Sequence, residues 1–474
     1  MQYIINEENF KQKYRINEGI ARHNSVKNIV ILPYTTKYKD KSKLKENIEK
    51  FEYCVGEFCR LIYNKKMGTE EKRLKDVDLF IKYISVNSSN DSVALKSIIK
   101  ELFFNEKENI YIFHPKLLNY IYMPHNGYYK KLSRFLYDVL LNNSDNVDIK
   151  SKINKCFEYE PNNIMELIIL NNLPKLEDED TSKSIYKCIC RNVSKLFKED
   201  LEFMLNYPEL ITNEFERLLK YYYFFYVSQL SIKLSYFFDG DKDRTEKVYF
   251  ILNWEKASKS RISYNMGWKM LESHIKRLFS HVHTLEILNT NDNTNQYDYI
   301  DLNKIINDLS YIERTKLYKN IEYIKNIYIN SINDIQWKDY DEKTQRYKDD
   351  NLKKEIYDLY RRIDYQFNKS SRRYSNYRKY KDWFEEYCKL NFLKKAGPLG
   401  NILKINQEEL LFITKLCIKD KSKIKLKELF EEYEKRGIYF DRDSQCKVVE
   451  LFEKLNIIEK KSDSGDAQYV RSIL

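Results

Sequence analysis

Glycine and proline, the residues that let a chain reverse sharply, are nearly missing from this sequence, at ten and seven of 474. With so few sites for positive φ or a preset turn, the chain must run in long segments. Those segments are charged and place apolar residues at three- and four-residue steps, as in Leu44, Ile48, Phe51, Val55, Phe58 and Ile62. Such spacing lays one apolar stripe along a helix. The expected fold class is therefore mainly α, a multi-helix body with a few short strands. Strand candidates are "NIVILP" at 28–33 and "KVYFILNWE" at 247–255. Further helical patterns cover about 92–104, 128–141, 164–170, 181–204, a long segment from 208, and 264–288.

The breakers cluster once. "KKAGPLGN" at 394–401 holds two of the ten glycines and one proline. The expected boundaries follow from it: a helical body over 1–395, a linker at 396–405 and a C-terminal domain over 406–474. That last segment reads helix ("NQEELLFITKLCI"), a short extended entry, a second helix ending at Gly437, and a third capped by Asp441 or Asp443. A hairpin turning at "SDSGD" follows. Helix, helix, helix, hairpin is the order of a winged helix. The third helix offers Lys447, Glu450, Glu453 and Lys454, a charge-balanced set. A base-reading helix carries a positive face, so docking to protein or weak backbone contact is favoured here.

Intrinsic catalysis finds little support. Neither a GxxxxGK[ST] nor a GxGxxG phosphate loop occurs, and no cofactor is expected. His281 and His283, two residues apart on a helix, point in different directions and make a poor chelate. Asp239, Asp241 and Asp243 have the spacing of a Ca²⁺ loop, but Arg244 stands where glycine belongs and Phe250 where the bidentate Glu belongs. The strand "YFILNWEKAS" approaches the (D/E)xK pattern of a Mg²⁺ nuclease, yet Ala257 occupies the lysine position. The alternative function is a nuclease with dispersed carboxylates, and Asp239, Asp241 and Glu255 are its least implausible set.

The aromatic run "YYYFFYVSQLSIKLSYFF" at 221–238 contains Lys233 and Gln229, so a buried core helix is expected and no membrane partner. The first residues lack an apolar signal region. The eight cysteines are scattered without CxxC, as reduced thiols of a cytoplasmic protein would be.

The densest cationic stretch is "NKSSRRYSNYRKYKDWFEEY" at 368–387. Between 351 and 404 there are 14 basic and 6 acidic side chains, an excess of eight out of the chain's +12. Lys369, Arg372, Arg373, Arg378, Lys379 and Lys381 interleave with Tyr374 and Tyr377. Cations gain by displacing the counterions of phosphates, and aromatic rings stack on exposed bases. These eight residues are the candidate nucleic-acid-binding set, with DNA as partner. The plainer reading is a helix with tyrosines inward and charges solvated. The two readings are compatible.

"NIVILPYTTKYKDK", "VGEFCRLIYNKK", "AGPLGNILKINQEELLFITKLCIKD" and above all "RGIYFDRDSQCKVVELFEKLNIIEKKSDSGDAQYVRSIL" resemble the DptG family of DNA phosphorothioation-dependent restriction proteins. The likeness is strongest over about the last 75 residues and loose in the middle. The resemblance implies a subunit of a bacterial restriction system used in antiphage defense, which discriminates against DNA lacking backbone sulfur; beside the missing phosphate loops, a non-catalytic DNA-associated or assembly component is expected. It also implies DptF-like and DptH-like partner subunits that carry the ATP-driven work. No catalytic residue is carried over.

Overall fold

The computed structural model describes residues 3–16, 21–23, 29–68, 89–104, 110–124, 127–141, 147–161, 163–291, 295–460 and 468–473. The fold is mainly α, with 62% of the described residues helical and only short strands among them. Two compact units divide it: Met1–Ile48, Ile189–Asn192 and Phe224–Leu474 form one, and Glu49–Cys188 with Val193–Tyr223 the other. This division does not follow the expected body, linker and C-terminal domain.

In the smaller unit, helices α1 (Glu52–Tyr63) and α2 (Gly127–Leu140) pack through aromatic side chains. Phe58 of α1 lies 6.3 Å from the ring of Tyr137, 6.1 Å from Phe197 and 5.9 Å from Phe215. Phe197 belongs to α3 (Arg191–Met204). The stretch before α3, expected to be helical from 181, carries no helix. Arg60 is fully buried, donating to Glu57 at 3.0 Å and to the carbonyl of Asn119 at 2.9 Å, so its charge is matched.

The aromatic run lies in helix α4 (Pro208–Tyr236) and is buried. No helix among the described residues is long and apolar enough to cross a membrane. In the larger unit its Phe224 sits 5.7 Å from Phe250, 6.0 Å from Phe384 and 4.3 Å from Phe392.

Around this core runs a four-stranded sheet. Strand β1 (Tyr249–Leu252) is central, parallel on one side to β3 (Asn401–Ile405) and on the other to β5 (Tyr439–Phe440). Strand β2 (Leu393–Lys395) pairs antiparallel with β3. The breaker cluster is thus the turn of the β2–β3 hairpin, with Gly397 and Gly400 at φ 55° and 75°. What was expected to be a linker is built into a sheet whose middle strand lies some 150 residues earlier. "NIVILP", by contrast, is buried over Ile29–Leu32 without joining any sheet among the described residues.

Helices α5 (Trp268–Ile275), α6 (Leu278–Leu288), α7 (Asn351–Lys369) and α8 (Tyr374–Asn391) pack together beside this sheet. The C-terminal elements are α9 (Gln407–Ile418), β4 (Lys423–Lys425), α10 (Leu426–Lys435), α11 (Arg442–Lys454), β6 (Ile458–Lys460) and β7 (Gln468–Arg471). Strands β4, β7 and β6 form an antiparallel sheet in that order, with Val470 fully buried in the middle strand. Ile457, Ile458 and Tyr469 are only half-buried. The expected turn at "SDSGD" lies outside the described residues.

Local chemistry sets the helix ends. Gly437 follows α10 at φ 80°, and a Cβ there would come within 2.4 Å of the Phe225 ring. Asp441 caps α11 by accepting from the N–H of Ser444 at 3.1 Å.

Candidate nucleic-acid interface

The expected binding residues lie on the end of α7, the 370–373 turn and the first half of α8. The structure divides them into two groups of four. Arg373 turns inward, donating to Gln366 Oε1 and to Asp334, each at 2.6 Å. Tyr377 is buried, its hydroxyl donating to Asp364 at 3.0 Å. Burial first, and then the Asp364 charge, push that hydroxyl above the usual tyrosine range. Lys379 donates to the carbonyl of Tyr38 at 3.2 Å and lies over its ring. Lys381 pairs with Glu385. Burial opposes ionisation of Glu385, but hydrogen bonds from Lys381 and Lys389 hold its carboxyl at about 2. Arg373, Tyr377 and Lys379 fasten this end of α8 to its surroundings, while the Lys381 pair lies within the helix.

The other four face solvent. Lys369, Arg372, Tyr374 and Arg378 are exposed. Among the described residues Arg372 makes no hydrogen bond or ion pair, and Lys369 and Arg378 contact only the rings of Tyr365 and Tyr374. The nearby carboxylates are engaged elsewhere. Asp382 and Glu386 take Lys41, and Asp364 accepts from Ser280 and Tyr377.

An open cleft of about 450 Å³ is lined by Asn368 and Tyr377, the chain neighbours of Lys369 and Arg378. Asp364, Asn368 and Tyr377 form one wall. The other comes from α5 and its junction with α6, with Lys269, Lys276 and Arg277 as its cations and Glu272 as its carboxylate. Lys276 pairs with Glu272 at 3.2 Å, whereas Arg277 is exposed and has no carboxylate partner among the described residues. The sequence reading missed this second wall. Its signal was available in "GWKMLESHIKR", where Lys269, Ser273, Lys276 and Arg277 recur at four-, three- and one-residue steps opposite Trp268, Leu271 and Ile275.

The carboxylates of the nuclease alternative do not converge. Asp239 is exposed, accepting from the Tyr347 hydroxyl at 2.9 Å. Asp241 accepts the N–H of Asp243 at 2.8 Å. Glu255 is buried, accepting from the Leu252 N–H and Arg261, each at 2.7 Å, and from Ser444 at 3.1 Å. Among the described residues no three His, Cys, Asp or Glu side chains are grouped to hold a metal ion. The loop with Ca²⁺-like spacing already wraps a cation, because the buried Lys233 ammonium donates to the carbonyls of Asp241 and Arg244. His281 stacks on Tyr360 at 4.4 Å, and His283 packs against Phe279 at 4.5 Å, so they are separate core residues.

Arg261 is the other charged focus. It donates to Glu255 and, through two nitrogens, to Asp441, joining the carboxyl ends of β1 and β5. Burial opposes ionisation of Asp441, but hydrogen bonds from Arg261 and Ser263 hold its carboxyl at about 2. With every acceptor on this cluster turned to Arg261, a serine or the backbone, its geometry is that of a fastening. No protein-family model matches this chain, and no curated protein matches it.

Proposed function

We propose that this chain is a non-catalytic, DNA-associated subunit of a cytoplasmic bacterial restriction system that depends on DNA phosphorothioation. The observation that carries the DNA part is the set of exposed cations without carboxylate partners among the described residues: Arg277, which lines the cleft, and Lys369, Arg372 and Arg378 around the 370–373 turn. Unneutralised guanidinium and ammonium groups gain most from a phosphate, since no internal ion pair has to break. The restriction context and the DptF-like and DptH-like partners rest on the resemblance of the quoted segments to the DptG family. The C-terminal helices and three-stranded sheet act as a winged-helix-like docking module. On its outer surface Lys447 pairs with Glu450 at 2.7 Å, and Lys423 and Arg471 with Glu459 at 2.7 and 2.6 Å.

A salt titration tests the DNA part. Replacing Arg277, Arg372 and Arg378 together with Ala should weaken binding about equally on unrelated duplexes. It should also flatten the dependence on log salt by up to about 0.9 per lost contact. An unchanged slope would move DNA binding off this face. Co-expression with the partner subunits tests assembly, and failure to co-purify would remove the docking role.

A further inference from the structure

Tyr374 is an exposed tyrosine with a stack of rings behind it. Its ring stacks on Tyr377 at 6.5 Å and 28°, and Tyr377 stacks on Phe367 at 6.1 Å and 12°. Phe367 is rooted in the core, 4.7 Å from Phe279 and 5.2 Å from His283. Tyr374 is thus the last rung of an aromatic ladder whose middle rung is pinned by Asp364, and it is 43% exposed. A ring held this way presents a face without first having to be ordered. Arg378 lies one helical turn further along α8, its guanidinium 5.8 Å from the Tyr374 ring, and Arg372 lies just before it. Tyr311 is more exposed, at 85%, but the cation near it, Arg314, is already paired with Asp350 at 2.9 Å. At Tyr374 an exposed, backed ring stands between Arg372 and Arg378, cations that lack carboxylate partners among the described residues.

We infer that this face takes a strand whose bases are unstacked, as in single-stranded DNA, with one base on the Tyr374 ring and the flanking phosphates on Arg372 and Arg378. In a regular duplex both faces of every internal base are covered, so along its length the ring contributes nothing and only the cations act. The inference rests on the phosphate-binding reading above and adds the kind of strand bound. One stacked base carries about 1–3 kcal/mol on alanine substitution, so Tyr374→Ala should weaken binding about 5- to 150-fold on single strands alone.

The test uses the full chain, a labelled oligo-dT strand, an abasic strand of equal length and a mixed-sequence duplex of that length. Tyr374→Phe, which keeps the ring, controls for folding, and thermal melts of both variants confirm it. Expected is a loss for Tyr374→Ala on oligo-dT only, wild-type binding by Tyr374→Phe, and losses for Arg372→Ala with Arg378→Ala on all three ligands. If the arginine changes weaken every ligand while Tyr374→Ala is neutral, or acts equally on all three, the stacking inference is wrong and phosphate binding stands. If the arginine changes leave every affinity unchanged, the underlying reading falls and the inference with it.

Discussion

Acidifying the protein from pH 7.5 to 5 perturbs a specific set of core groups. His281 is fully buried, stacked on Tyr360, with Nε2 unpartnered and Nδ1 3.3 Å from the Tyr299 hydroxyl. Burial, followed by the charges of Arg277, His274 and Arg346, holds it well below the usual histidine range. Burial and the Lys13 charge hold His283 at about 3. His23, whose ring centroid is 5.1 Å from that of His283, shifts the same way through burial and then that neighbour. A base whose folded pKa is depressed leaves the unfolded chain binding more protons. Stability is then complete above about pH 6.5 and falls as pH drops toward the folded value. Each such histidine costs about 1.4 kcal/mol per pH unit, or about 2 kcal/mol from pH 6.5 to 5. His281 and His283 together cost about 4 kcal/mol, a large share of a total near 5–15 kcal/mol. Glu355, pushed up mainly by burial, opposes this with one proton at most. Urea unfolding at a series of pH values should show the loss well before ordinary carboxylates titrate. His281→Phe keeps the stack on Tyr360 and should lower the slope by about one proton, about 1.4 kcal/mol per unit. A flat wild-type profile between pH 7.5 and 5, or an undiminished slope in His281→Phe, would refute the reasoning.

Four further outcomes are expected, read by unfolding measurements and, for the last, by co-purification. Arg261→Ala strands buried Glu255 and the cap carboxylate of Asp441, and should cost about 3–5 kcal/mol. Gly437→Ala, at φ 80° and 2.4 Å from Phe225, should cost about 2–5 kcal/mol from backbone strain and overpacking together. Val470→Ala should cost about 2 kcal/mol, and removing residues 457–474 should abolish both the C-terminal sheet and co-purification with partner subunits.

What was legible in the sequence was local. The caps at Gly437 and Asp441 were readable because each depends on one residue's own conformation or side chain. The parallel pairing of β1 with β3 and β5 was not, since strands of two to five residues carry too little alternation to name a partner so far away. The same blindness made "KKAGPLGN" look like a linker, when its glycines serve a hairpin turn. At the interface the cationic density was visible, but not which cations were exposed. Arg373, Tyr377, Lys381 and Phe384 recur at four-, four- and three-residue steps along α8, the spacing of an inward stripe. Density alone counts those residues as surface, and periodicity would have set them apart.

The Lys233 ammonium inside the 239–244 loop has a consequence for how that loop can behave. A calcium loop works as a switch because its cation is a separate particle, present or absent according to concentration. Here the cation is tethered through four methylenes to a helix buried in the core, so its effective concentration is fixed and it cannot be titrated away by dilution or chelators. The loop is therefore insensitive to ionic signals by construction. Cutting the tether at Lys233 would return its carbonyls to the open market of dissolved cations.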